Sequence, residues 1–210
     1  EKFMFDNTEK LTKNKKYSQA ELFKIVLENE DLREKTEALF ALDFKELLSV
    51  KDEYPDYEFN LDGRAFAEDG GAGVYILLED GSIGYVCFDF PLECGRIAEN
   101  LVEWFELLLN CANFWLNYAD RKYLENLEAL EKKVEESEPK GQEQFEDAYG
   151  DDMPPYLELQ KELSEKLDIK IHDNIAKNVL QRFFKTAERE SKFTTKYVPD
   201  NEIAKELIKN

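Results

Sequence analysis

Glu68, Asp69, Asp89 and Glu93 stand on either side of the glycine-rich run GGAGVYILLEDGSIGYV. Carboxylates gathered by tight turns are the material of acid–base chemistry or of a Mg²⁺ site. They also populate glycine turns without any function, so this pattern alone selects no reaction. The one histidine, His172, lies between Ile171 and Asp173, with no HExxH spacing, no second histidine for a metal and no GxSxG nucleophile beside it. A surface or capping role is the expectation for it. Gly70-Gly71-Ala72-Gly73 is neither a GxGxxG fingerprint nor a P-loop, since no Lys-Ser or Lys-Thr follows and the next residues read as a strand. Cys87, Cys94 and Cys111 form an odd set without CxxC spacing among apolar and glycine neighbours, which predicts buried thiols in a reducing compartment. No nucleophile is paired with a base, so the residues predict a non-enzymatic protein with no catalytic residue, cofactor or metal centre.

The elements that must hold these side chains centre on a sheet. Seven of the nine glycines fall between Gly63 and Gly95, beside Val, Tyr, Ile and Phe, the composition of turns joining strands. Residues 74–78 and 83–88 read as a hairpin about Asp80-Gly81. A two-residue turn there pairs Leu78 with Ile83 and Ile76 with Tyr85, leaving Tyr75 and Val86 on the other face, and both faces are apolar enough to be covered. Residues 57–66 suggest one or two short strands. Ser18 with Glu21 is a capping-box pattern that predicts a first helix. Thr36, Leu39, Phe40, Leu47 and Leu48 predict a second, stopping before Tyr54-Pro55. Asn100 with Glu103 caps a third, on which Leu101, Trp104, Phe105, Leu108 and Leu109 make one apolar stripe, with Trp104 read as a packing residue.

From residue 124 to 168 there are 15 acidic and 5 basic side chains, and the part near 137–155 contains Pro and Gly with few aliphatics. That composition predicts a flexible loop there, flanked by helices over about 120–136 and 154–167. Residues 169–210 reverse the balance with 9 basic and 6 acidic side chains, a tail expected to lie against the acidic remainder of its own chain. The fold class expected is α+β: a small, mainly antiparallel twisted sheet framed by helices in 1–120, then an acidic helical extension over 121–210. A net charge of −19 opposes binding to nucleic acid or anionic lipid and favours a basic partner. No apolar run approaches a membrane span, and EKFMFDNTEKLTKNKK lacks the core of a signal peptide, so the location expected is cytoplasmic.

The order of two helices, an acidic-Gly-Gly segment, the aromatic strands of GGAGVYILLEDGSIGYV and the helix opened by GRIAENLVEWFELL resembles the SUKH superfamily over residues 18–118, about half the chain. That superfamily includes many bacterial immunity proteins alongside Syd-like and Smi/Knr-like regulators. The resemblance implies a cytoplasmic, non-enzymatic protein that neutralises a co-encoded toxin, often a nuclease or nucleic-acid deaminase. An acidic inhibitor suits such a target, whose own surface must be basic to hold phosphate. The partner-binding surface expected joins Asp62, Glu68, Asp69, Asp89 and Glu93 with the aromatic anchors Tyr57, Phe66 and Phe90. Two other readings fit the same residues: a regulatory scaffold using the acidic middle segment as a docking arm, and a metal-assisted hydrolase built on the carboxylates around the glycines.

Overall fold

The capping box expected at the start of the first helix is formed. The computed structural model describes residues 17–89 and 92–198, so the opening segment EKFMFDNTEKLTKNKK lies outside them. Ser18 Oγ accepts from the Glu21 N–H at 3.3 Å and the Glu21 carboxylate accepts from the Ser18 N–H at 2.8 Å, opening α1 (Gln19–Glu28). Asn29 closes α1 and caps α2 (Glu30–Phe40), its side chain accepting from the Leu32 N–H at 3.0 Å. Beyond Phe40 the sequence-based expectation fails. Ala41 turns into the left-handed region at φ 51°, and residues expected to continue the helix form β1 (Leu42–Ser49) instead. Leu42 and Phe44 bury their side chains while Asp43 is exposed, the alternation of a sheet edge.

A one-turn helix α3 (Val50–Glu53) leads to β2 (Tyr57–Phe59), β3 (Gly63–Asp69), β4 (Gly73–Leu78), β5 (Ile83–Cys87) and β6 (Glu93–Ala98). The main sheet is antiparallel, in the order β1-β3-β4-β5-β6. The β4–β5 hairpin is present, but its register is one residue from the expected one. Leu77 faces Ile83, Ile76 faces Gly84 and Tyr75 faces Tyr85. The loop holds three residues, not two: the Leu78 N–H donates to the Ser82 carbonyl and the Gly81 N–H to the Leu78 carbonyl, both at 2.9 Å, with Gly81 at φ 83°. Ile76 and Tyr85 therefore occupy opposite faces. Positive φ makes Gly81→Val costly, and we expect a loss of about 1 to 3 kcal/mol. An unchanged urea midpoint would show that the turn tolerates a β-branched residue.

Both faces of the hairpin are covered. Tyr75, Leu77, Ile83 and Tyr85 join the larger core, whereas Val74, Ile76, Leu78 and Val86 join a smaller cluster with Phe59 and Phe193. Gly84 leaves room for the Phe193 ring, since a Cβ there would stand 2.7 Å from it. The turn is tied down from outside by Arg96 and Arg189, which both pair with Asp80. Burial alone would raise the Asp80 carboxyl, but hydrogen bonds from Ser82 and the Arg96 guanidinium bring it down to about 2.

The helices complete the larger core. Asn100 caps α4 (Leu101–Asn110), and Trp104 on its stripe is fully buried against Phe40, Phe66, Tyr75 and Phe105. Next come a 3₁₀ turn at Trp115–Tyr118, α5 (Leu127–Tyr149), α6 (Tyr156–Leu167), a π-helical turn at Ala176–Leu180, α7 (Gln181–Ala187) and β7 (Thr195–Tyr197), which pairs with β2. The loop expected near 137–155 is replaced by helix as far as Tyr149, with Pro139 inside it. Ser137, Glu138, Gly141 and Phe145 are the buried face of that segment, at helical spacing. Side chains from both sides of residue 120, among them Phe105, Leu108, Leu159, Leu163 and Phe183, share one apolar cluster. The basic tail meets acidic partners as expected: Arg182 pairs with Glu106 at 2.5 Å and Arg189 with Glu99.

Candidate functional site

Strand alternation sends Glu68 and Asp69, adjacent at the end of β3, to opposite faces of the sheet. Asp69 organises the glycine turn: its Oδ1 accepts from the Gly71 N–H at 2.9 Å and the Gly73 N–H at 3.0 Å, and its Oδ2 from the Tyr85 hydroxyl at 2.6 Å. Burial, then the bond to Asp69, raises the Tyr85 phenol far above its ordinary value. A Cβ at Gly73 would occupy the space of that carboxylate and hydroxyl. This glycine is thus needed for close approach.

Glu68, on the other face, pairs with Lys45 and accepts from the Tyr54 hydroxyl at 3.1 Å, while Lys45 also pairs with Glu53. Burial would lower the Lys45 ammonium, but its bonds to the two carboxylates prevail and raise it. Tyr54 stacks on Phe88 with ring centres 4.6 Å apart, Tyr57 meets Phe88 at 4.5 Å, and Tyr197 meets Tyr57 at 5.2 Å. These four rings form a continuous ladder along the β2–β7 ribbon. Tyr54, Tyr57 and Phe88 are half-buried and Tyr197 is 44% exposed. Asp56 and Asp89, next in sequence to Tyr57 and Phe88, are exposed, and neither pairs with a basic side chain among the described residues.

Of the surface expected from sequence, Tyr57 touches Phe88, Glu68 reaches the ladder through the Tyr54 hydroxyl, and Asp89 adjoins it as the residue after Phe88. The remaining residues lie elsewhere. Asp62, at the far end of β3, pairs with Lys51. Glu93 is exposed at the start of β6 and shares a face with its ladder partner Cys87, which packs on the larger core, away from Glu68. Phe66 is a correction: it is 1% exposed, with its ring 5.6 Å from Phe23 and 5.0 Å from Trp104, and has no surface for a partner. Phe90 lies outside the described residues. Tyr54, Phe88 and Tyr197 were not among the expected anchors. Phe88 carried a readable signal, an aromatic at the strand end next to Asp89, whereas Tyr197 is brought in only by the distant β2–β7 pairing.

Among the described residues no group of three or more His, Cys, Asp or Glu side chains is placed to hold a metal ion. Cys111 is buried and Cys87 and Cys94 are half-buried, not all buried as the sequence suggested. Burial pushes the Cys94 thiol up to about 12 and the Cys111 thiol well above its ordinary value, which disfavours the nucleophilic thiolate. His172 is half-buried, its backbone N–H donating to the Asn110 side chain at 2.8 Å. No described helix is long and apolar enough to cross a membrane. Neither family models, nor curated proteins, nor solved structures match the chain.

Proposed function

We propose that this protein is a non-enzymatic binding module that docks a basic protein partner on the Tyr54–Phe88–Tyr57–Tyr197 ladder. The observation that carries the reading is the ladder's composition: four contiguous rings, part-exposed, flanked by the exposed carboxylates of Asp56 and Asp89, which pair with no basic side chain among the described residues. Aromatic side chains supply large contact area at low entropic cost and dominate interface energetics, while rim charges steer encounter. The net charge of −19 acts in the same direction at longer range. In its specific form, supported by the SUKH-like order of motifs, the module is an immunity protein that occupies a cognate toxin such as a nuclease or deaminase.

Affinity capture from the source cell identifies the partner, and stopped-flow association across a salt series tests the mode of binding. Asp56→Asn combined with Asp89→Asn is expected to slow association several-fold at low salt, an effect that fades as the Debye length falls from about 10 Å at 0.1 M to about 3 Å at 1 M. Tyr197→Ala is expected to act on dissociation, raising its rate by about thirtyfold if the ring is a hot spot of about 2 kcal/mol. An association rate indifferent to salt and to both amide substitutions would remove the electrostatic account.

A further inference from the structure

On the side of the molecule formed by the helices, α2, α4, α5 and α6 leave a cleft of about 270 Å³ between them. Its floor is apolar, formed by Phe40, Leu108, Trp115 and Tyr156, and its mouth is bordered by the exposed Gln144 and Ala148 of α5. An apolar cavity of about 150 Å³ already accepts benzene, so this one has room for a ring and a short chain. Among the described residues no charged side chain lines it. Past Ala41 and Tyr149, which border both spaces, it adjoins a groove of about 490 Å³ lined by Glu34, Glu37 and Asp43 and, among the described residues, by no basic side chain. Glu37 is engaged, pairing with Arg33 at 2.8 Å and accepting from the Phe44 N–H at 2.9 Å. Glu34 and Asp43 are exposed and pair with no basic side chain among the described residues. The Tyr149 phenol, between the two spaces, is raised first by burial and then by the Asp43 charge, so it stays a neutral hydroxyl.

We propose that cleft and groove together form a binding site for a small amphipathic cation, a primary amine carrying one aromatic ring. The ring fills the cleft against Trp115 and Tyr156, and the ammonium points outward to the field of Glu34 and Asp43. A carboxylate of the same shape would face like charge at the mouth, and a neutral analogue would gain from the floor alone. A cleft walled by four helices favours a free small molecule over a protein segment, and the site does not depend on the ring ladder or on the protein-binding reading.

The test is calorimetric titration of the full chain at low salt with three probes of one shape: phenethylamine, 2-phenylethanol and 3-phenylpropionate. The amine is expected to bind at least tenfold more tightly than the alcohol, and the carboxylate more weakly than either. Glu34→Gln with Asp43→Asn should bring the amine down to the affinity of the alcohol and leave the alcohol unchanged. Ala148→Phe, at an exposed position of the mouth, should weaken all three probes at least tenfold while the circular-dichroism melt stays as in the wild type. Tryptophan fluorescence, to which Trp115 in the cleft and the buried Trp104 both contribute, gives a second readout, expected to change on titration of the wild type with the amine and not on titration of Ala148→Phe. Equal affinity for amine and alcohol, an amine indifferent to the double amide variant, or no binding of any probe at millimolar concentration overturns the proposal.

Discussion

Gly141→Ala is expected to destabilise the protein by about 3 kcal/mol, although alanine is the better helix former by about 1 kcal/mol. The reversal of sign comes from packing. A methyl group at position 141 would overlap the Ala112 carbonyl and the Asn113 amide nitrogen, both backbone atoms of the segment that follows α4. Backbone has no rotamer to change, so α5 itself must move away, taking the buried Phe145 with it. Urea denaturation followed by far-ultraviolet circular dichroism measures the change. A stabilised variant would mean that helix propensity outweighs the contact and that α5 is less closely seated than described.

Glu138→Ala is expected to cost about 4 kcal/mol, the larger effect of the two. The Glu138 carboxylate accepts from the Ala112 N–H at 2.7 Å, the Asn113 N–H at 3.3 Å and the Tyr118 hydroxyl at 2.5 Å, and the residue is 8% exposed. Truncation leaves the buried Tyr118 hydroxyl and two part-buried N–H groups without that acceptor, a penalty of about 1 to 3 kcal/mol for a fully buried donor and less for the others. Glu138→Gln keeps one acceptor oxygen and should recover part of the loss. Burial raises the Glu138 carboxyl above its ordinary value, against the lowering effect of its hydrogen bonds. The folded state therefore takes up this proton at a higher pH than the unfolded chain. The wild type gains stability relative to Glu138→Gln as pH falls through the folded value toward the ordinary carboxylate range, and loses that gain as pH rises. Denaturant midpoints of both proteins across that range measure it, and a difference that shrinks on acidification would contradict the assignment.

Helix α5 also shows why composition misleads. Residues 137–155 read as a loop because Pro, Gly and polar side chains replace aliphatics, yet Ser137, Glu138 and Gly141 are the core-facing positions. They are small or hydrogen-bonded because the helix lies against backbone rather than against an apolar sheet. Local signals were legible: Ser18 with Glu21 and Asn100 with Glu103 act within one turn, and their caps form as read. The hairpin was legible in position but not in register. Both its faces are apolar, so alternation could not choose between two-residue and three-residue loops. Strand β1 was hidden because LDFKELLS spaces its apolar residues for a helix as well as a strand, and the break at Ala41 uses a positive φ without glycine. In the candidate site, proximity along the chain identified Glu68 and Asp89 but could not tell the turn-bound Asp69 from a surface charge.

The pairing of β2 with β7 sets the order in which the molecule becomes complete. Tyr57 meets Tyr197, and Phe193 closes over Gly84, across separations of more than a hundred residues. During synthesis the amino-terminal elements emerge first, so the sheet can assemble while its second face still lacks Phe193. The ring ladder is finished only when the returning strand arrives. A newly made chain therefore gains its full aromatic surface late, after α5, α6 and α7 have left the ribosome, and a chain interrupted before residue 193 would expose Ile76, Leu78 and Val86 where the finished protein buries them.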